Sequence, residues 1–294
     1  MKRVRNLILV LIALLAGSVG SAQNEPARKV LIPLIVKDAH HQLIGGLTQA
    51  LLVFTDQKVP VVDVSLLRSS DLPLELGVII DTSRSEQQEV DLKDIVGAAK
   101  NFVNDAIRTP QDRVFFLAFN TVPQITGWLK KEQLAGLSLN LTAGGGTALY
   151  DAVAMACQDR MGTRDLNTPT RRVLVVISDG QDNQSHITRD EATTQALKSG
   201  VVIFTLGTQF SGPSDRGEHV LKNWAKVTGG EFFTDITRKH STQVFTAITE
   251  VLSGMYYASY VPPSPGVEVH ELEIKPARKE KLELTYPGKY FWPQ

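Results

Sequence analysis

The run Leu74–Ile80 is apolar at every position except Glu75, and it breaks off in Asp81-Thr82-Ser83-Arg84-Ser85. A strand that is apolar on both faces has no solvent side. It must lie inside a sheet covered by helices above and below, which is the environment of a parallel sheet. Three further segments fit the same description: Arg113–Phe119, Arg172–Ser178 and Val201–Leu206. Between them the apolar period switches from strand-like to helical. Leu92, Ile95, Ala99, Phe102, Val103 and Ala106 follow spacings of three and four, which predicts an amphipathic helix. A helix from Thr147 carries Leu149, Val153 and Cys157 on one stripe, and Thr188 with Glu191 forms a capping box that opens a helix ending at Ser199-Gly200. Helices over Glu218–Val227 and Thr242–Leu252 complete the series, with short edge strands at Pro123–Leu129 and Glu231–Phe233. Alternation of this kind predicts a doubly wound, mostly parallel α/β domain with helices on both faces, spanning 71–253.

The flanks, 23–70 and 254–294, read as β. Val30, Ile32, Leu34 and Val36 alternate before a turn at Asp38–Gln42, and Leu51–Thr55 and Val59–Leu66 are joined through Asp56-Gln57-Lys58. On the far side, Tyr256–Val261 is extended until Pro262-Pro263-Ser264-Pro265-Gly266 breaks it. Val267–Lys275 and Lys281–Tyr286 read as a hairpin, with a shift of face near His270-Glu271. About three strands on each side could form one small β-sandwich split by the α/β insertion, because domain termini often lie close together. Independent flanking hairpins are the alternative.

Residues 1–22 have the form of a signal peptide. Lys2, Arg3 and Arg5 precede the apolar run Leu7–Ala16, and small residues follow at Gly20-Ser21-Ala22. The expectation is export to the periplasm or the medium, with no stable membrane span after cleavage. The 31 basic residues balance the 31 acidic ones, so removal of Lys2, Arg3 and Arg5 leaves the chain slightly acidic. With no basic cluster, nucleic acid is not an expected partner. Cys157 is the sole cysteine, so no internal disulfide can form and stability rests on the core.

Ligands of open parallel sheets bind outside the carboxyl ends of the strands. Asp81 and Asp179 both stand at such ends, Ser83 and Ser85 follow the first of them, and Thr147 follows Gly144-Gly145-Gly146 in a loop assigned to the same edge. Two carboxylates and three hydroxyls, with no Cys or His, favour Mg²⁺, with Mn²⁺ or Ca²⁺ as close equivalents, over zinc or copper. Two carboxylates roughly neutralise the ion and the hydroxyls donate weakly. An open coordination position would then accept a carboxylate from a partner.

These residues carry a resemblance. Asp81-Thr82-Ser83-Arg84-Ser85, Thr147 in GGGTALYDAV and Asp179 in VVISDGQDN are similar to the D-x-S-x-S, Thr and Asp elements of the von Willebrand factor type A domain, over about Leu74 to Ser253. The resemblance implies a metal-ion-dependent adhesion site in which Ser83, Ser85 and Thr147 touch the metal, while Asp81 and Asp179 act largely through water and by holding the hydroxyls. The flanks resemble a group of exported bacterial proteins with a related domain, through Gly46-Leu47, Phe54, Asp56, Asp71-Leu72-Pro73-Leu74, Tyr257–Pro263 and the terminal Tyr-Pro-Gly-Lys-Tyr-Phe. Arg84-Ser85-Glu86 departs from the Gly-Ser-Met of many relatives and places opposite charges beside the ion.

Other chemistry-bearing residues have plainer readings. Asp182 and Asn183 lack EF-hand spacing and read as a polar loop, and the three glycines lack the lysine of a phosphate-binding loop. Cys157 reads as a buried, inert thiol. His40-His41 sit in a turn and the remaining histidines are expected at the surface. Tyr256, Tyr257 and Tyr260 read as strand packing. The function expected is a non-enzymatic exported module that captures an acidic side chain of a protein partner through a divalent cation. A metal-dependent hydrolase is the rival, against which stand the lack of G-x-S-x-G and H-E-x-x-H motifs. A structural envelope protein with a vestigial site is the third reading.

Overall fold

The structure, a computed structural model, describes residues 28–83, 88–139, 141, 143–162, 168–208, 216–234, 240–264, 266–279 and 281–292, the side chains of 88–91 excepted. The chain opens with four strands, β1 (Val30–Lys37), β2 (Leu52–Asp56), β3 (Val59–Val61) and β4 (Ser65–Arg68). An α/β region follows, with β5 (Leu74–Asp81), α1 (Gln88–Ala106), β6 (Arg113–Phe119), β7 (Gln124–Ile125), α2 (Lys131–Leu134) and α3 (Leu149–Asp159). It continues through β8 (Arg171–Ser178), α4 (Arg189–Ser199), β9 (Val202–Gly207), α5 (Arg216–Thr228), β10 (Phe232–Phe233) and α6 (Ser241–Gly254). Four strands close the chain: β11 (Tyr256–Tyr260), β12 (Val269–Pro276), β13 (Glu283–Thr285) and β14 (Lys289–Phe291).

The central sheet has the order β10-β9-β8-β5-β6-β7, parallel except for β7. Burial explains why these runs are strands in its interior. Every residue of β8 and β9 is buried, and β5 is buried from Leu76 to Ile80. Helices cover both faces. One face packs Ile95, Phe102 and Val103 of α1 with Phe245, Ile248 and Leu252 of α6, and the other packs Leu149, Val153 and Cys157 of α3 with Ala192, Ala196, Leu221 and Trp224. Glu75, the one charge within Leu74–Ile80, pairs with Arg113 and, at 3.0 Å, with Arg172. The expected capping box at Thr188 and Glu191 is formed, and Gly200 ends α4 in the left-handed conformation.

The flanking strands do not form separate hairpins. Each of two four-stranded sheets, β13-β1-β11-β4 and β14-β12-β2-β3, draws on both ends of the chain, and one apolar core holding Ile32, Leu34, Phe54, Tyr256, Tyr260, Leu272 and Ile274 joins them as a sandwich. Three local expectations need correction. Val59–Leu66 is two strands in different sheets, because the chain crosses between layers at Val62–Val64. Val267–Lys275 and Lys281–Tyr286 are not partners: β12 pairs with β2 and β14, and β13 pairs with β1. No change of face occurs in β12, whose inward residues His270, Leu272 and Ile274 alternate with exposed Glu271 and Glu273.

His270 is therefore not a surface histidine. It is 0% exposed, and its Nδ1 lies 2.7 Å from Oδ1 of Asp56, also 0% exposed. The other oxygen of Asp56 accepts from Tyr260 Oη at 3.0 Å and from Tyr290 Oη. The His270 ring stacks on Tyr290 with centroids 4.8 Å apart. Burial pushes the Tyr260 and Tyr290 hydroxyls far above their ordinary value, so both remain donors. One carboxylate of the first flank thus gathers donors from three strands of the second.

Replacing Asp56 with leucine strands three buried donors and is expected to cost at least about 3 kcal/mol, since each unsatisfied group costs about 1–3 kcal/mol. Tyr260→Phe removes one donor only and should cost about 1 kcal/mol. Urea unfolding monitored by tryptophan fluorescence measures both; equal losses would show that Asp56 is not the hub.

Candidate functional site

β5 and β8 lie side by side and parallel, with Ile80 opposite Ile177. Their carboxyl ends therefore coincide, and Asp81, the last residue of β5, meets Ser178 and Asp179 at the end of β8. Ser178 Oγ donates to Asp81 Oδ2 at 2.6 Å and accepts from the Gly180 amide at 3.0 Å. The Ser83 amide donates to Asp81 Oδ1 at 2.9 Å, and the Gln181 amide to Asp179 Oδ1 at 2.9 Å. Both carboxylates thus close tight turns as well as carrying charge. Burial raises the Asp81 carboxyl above its ordinary range; hydrogen bonds from Ser178 and Ser83 oppose this, and the charge of Asp179 adds to it. Two neighbouring carboxylates at a part-buried edge make a place that favours a cation.

Thr147 arrives at this edge from the other direction. The Gly144 amide donates to Thr82 O at 2.9 Å, the Gly146 amide to Thr121 Oγ1 at 2.9 Å, and the Ala148 amide to Asn120 O at 2.8 Å. Thr82 is itself tied to Phe119 O of β6 through its amide and its hydroxyl. The glycine loop is thereby pinned to the segments after β5 and β6. α3 begins at Leu149, so Thr147 belongs to the loop rather than to the helix. Thr147 is 6% exposed. Thr147 thus brings an oxygen donor to the sheet edge that carries the two aspartates.

Asp182 and Asn183, which read as a plain polar loop, do structural work here. Asn183 Oδ1 accepts from the Thr147 amide at 2.9 Å, Asp182 Oδ2 from the Tyr150 amide at 3.0 Å, and Ser185 Oγ from the Asp151 amide at 3.0 Å. The first amides of α3 are capped by side chains of the loop after β8, a role that Asx and Ser side chains fill at helix starts. Asp151 returns the contact by accepting from the His186 and Ile187 amides and from His186 Nδ1 at 2.8 Å. Burial works to raise the Asp151 carboxyl, but the bonds from His186 and Ile187 outweigh it and hold the group below its ordinary value. The signal for these residues was the run of Asp, Asn and Ser directly after Asp179, on a loop facing a helix start.

Gly180 has φ +79, and a Cβ there would stand 2.2 Å from the Gly217 carbonyl oxygen. A Cβ on Gly217 would in turn stand 2.2 Å from the Asp179 carbonyl oxygen. The first turn of α5 therefore rests directly on the Asp179–Gly180 peptide, and both residues must lack a side chain.

Of the predicted set, Asp81, Ser83, Thr147 and Asp179 come together at one sheet edge. Ser85, with Arg84 and Glu86, lies outside the described residues, as do 209–215 of the adjoining loop and the predicted signal peptide. Among the described residues no three His, Cys, Asp or Glu side chains are placed to hold a metal. The donors gathered here are instead two carboxylates and hydroxyl oxygens, a set suited to a hard divalent cation. Cys157 takes no part: it is fully buried, and burial pushes its thiol up to about 12. No helix among the described residues is long and apolar enough to cross a membrane.

A family model for the von Willebrand factor type A domain matches residues 75–247. No curated protein matches the chain in sequence. Among solved structures, it is similar to an aerotolerance-related membrane protein from Bacteroides fragilis, at 19% identity and a TM-score of 0.43, covering 61% of this chain and 98% of that one. It is also similar to the von Willebrand factor domain of the type V pili tip protein Mfa5 from Porphyromonas gingivalis, at 16% identity and a TM-score of 0.48, covering 62% and 95% respectively. A type A protein from Catenulispora acidiphila gives 12% identity and a TM-score of 0.46, covering 84% and 76%.

Two outcomes follow from the local geometry. Gly180→Ala forces a Cβ into a carbonyl oxygen at positive φ and should lower stability by more than about 1 kcal/mol, measured by thermal denaturation. Asp81→Asn should do the reverse in chelator. A carboxyl whose folded pKa is raised holds its proton more tightly when folded, so stability falls as pH rises above the ordinary value of 3.8. At neutral pH the asparagine variant should therefore melt higher than the metal-free native chain, and the gap should close below pH 3.8. A lower melting temperature for the variant in EDTA at pH 7 would contradict this account.

Proposed function

The chain belongs to the von Willebrand factor type A family, and on that premise we propose that it is an exported, non-enzymatic binding protein that captures an aspartate or glutamate side chain of a protein partner through a divalent cation. Domains of this family are generally non-catalytic interaction modules that mediate protein–protein contacts, and they commonly bind a divalent metal. In this chain Ser83, Ser85 and Thr147 would supply hydroxyl oxygens to the ion. Asp81 and Asp179 would supply charge, acting through water and through the turns they close. The ion, when bound, provides an electron-poor coordination position at which a partner's carboxylate replaces water. Mg²⁺ is the first candidate, with Mn²⁺ or Ca²⁺ as alternatives for an oxygen-only set.

The observation that carries this reading is the company Asp81 keeps. A part-buried carboxylate bears the charge of a second carboxylate, with hydrogen bonds from Ser178 and Ser83 and no cationic side chain acting on it among the described residues, while Thr147 is held at the same edge by the loop that carries Asp179. A small cation would resolve the like-charge contact, with the Thr147 hydroxyl within its donor set. Export is supported by Lys2, Arg3 and Arg5 before the apolar run Leu7–Ala16.

Calorimetric titration of the purified chain tests the proposal. Mg²⁺ or Mn²⁺ should bind and raise the melting temperature. Asp81→Ala and Thr147→Ala should each weaken binding by about tenfold or more while the far-ultraviolet spectrum is kept. Capture of an acidic partner should vanish in EDTA. A native chain that takes up none of the three ions would defeat the proposal.

A further inference from the structure

Thr147 and Asp179 belong to distant segments, yet a cation shared between them requires their oxygens to be held in one relation. The contact that sets this relation is made by a residue outside the predicted ligands. Asn183 grips Thr147 on both sides of its Cα: its Oδ1 accepts from the Thr147 amide at 2.9 Å, and its own amide donates to the Thr147 carbonyl at 3.0 Å. The Gln184 amide shares that carbonyl at 3.1 Å. This closeness requires Gly146, where an added Cβ would lie 2.8 Å from Asn183 Oδ1 and 2.3 Å from Cγ of Gln184. Fixing the peptides before and after a residue fixes the direction of its Cα–Cβ bond, so the Thr147 hydroxyl is confined to the staggered positions about that bond.

We propose that Asn183 is a positioning residue of the cation site, aiming the Thr147 hydroxyl at the ion by tying the Thr147 peptide to the loop that carries Asp179. This inference rests on the cation-binding function proposed above. The rest of the loop makes the tie rigid. Asp182 and Ser185 hold the Tyr150 and Asp151 amides, and Asp151 holds the His186 and Ile187 amides in return. The stretch after Asp179 and the start of α3 are thus laced from both sides. The Asn183 residue is itself exposed, so little apolar burial is at stake in it. What it contributes is an acceptor at the one amide preceding the Thr147 side chain. An aspartate would keep that acceptor; an alanine would not.

The test uses the whole chain with Mn²⁺ as the probe, in the native form, Asn183→Ala and Asn183→Asp. Calorimetry gives the Mn²⁺ affinity, and amide hydrogen exchange in EDTA gives a readout that needs no metal. In the alanine variant Mn²⁺ should bind about tenfold more weakly, the range found when partners of metal ligands are removed. The Thr147 amide should exchange faster, while the Ser83 amide, held by Asp81 Oδ1, keeps its native rate. Asn183→Asp should return the Thr147 amide to slow exchange. Native Mn²⁺ affinity in the alanine variant would overturn the inference and leave the cation site standing. Equal acceleration at Thr147 and Ser83 would also overturn it, by showing a general loosening of the edge. A native chain that binds no Mn²⁺ would remove the cation-binding proposal first and this one with it.

Discussion

The pairing of β5 with β8 is the constraint from which the site follows. Val173 to Ile177 and Leu76 to Ile80 are buried without exception. At about 1.5–3 kcal/mol for each large aliphatic side chain removed from water, one such strand contributes on the order of 10 kcal/mol. Two like charges about 4 Å apart repel by about 1–4 kcal/mol at effective dielectric constants between those of water and a protein surface. Burial therefore wins, and the strands stay in register although this brings Asp81 and Asp179 to one rim. The repulsion is accepted locally. Ser178 offsets part of it by donating to Asp81, whose carboxyl is raised first by burial and to a smaller extent by the charge of Asp179.

Asp56 shows how the same chain treats a buried carboxylate meant only to hold structure. Its two oxygens receive His270, Tyr260 and Tyr290, with no second acid beside it. Three donors around one carboxylate leave no call for an external cation. Asp81 has serine donors and an acidic neighbour instead. The difference between the two sites lies in the neighbours: three neutralising donors around Asp56, and a second carboxylate acting on Asp81.

Local periodicity made most of the α/β region legible before any coordinates: Arg113–Phe119, the helix through Leu92 and Ala106, and the cap at Thr188 all stand where the pattern put them. The placement of Asp81, Ser83, Thr147 and Asp179 at one sheet edge was readable because each stands at a strand end or a glycine turn. What periodicity cannot report is which strand pairs with which. Val267–Lys275 and Lys281–Tyr286 are near neighbours in sequence, yet their partners are β2, β14 and β1, chosen by the shape of a core assembled from both ends of the chain. His270 was misread for a related reason. The alternation of Glu271, Leu272, Glu273 and Ile274 already sets it facing inward, but a histidine there makes sense only once Asp56 is known to lie opposite. Asn183 reads only as part of a polar loop in sequence, because hydrogen bonding to a distant amide leaves no periodic trace.

The junction between sandwich and α/β region explains why the proposed site is left open. β4 leads into β5 through a short turn at Ser69–Asp71, and α6 returns to β11 through Met255 alone. Ser69 fastens the two crossings together, its amide donating to Met255 O at 3.1 Å and its hydroxyl to Leu252 O at 2.5 Å, while Arg171 reaches Ser69 Oγ at 3.2 Å. Further contacts fall at the same level: Lys37 pairs with Glu231 at 2.6 Å, and Gly229 lies against Pro33 and Pro287. All of these are at the amino ends of the parallel strands. Asp81 stands at the opposite end of β5, about 23 Å from Leu74 at about 3.3 Å per residue. The sandwich therefore grips the α/β region from behind. A partner reaching the aspartate rim need not compete with it, which is the geometry expected when one half of a chain holds position and the other presents a binding edge.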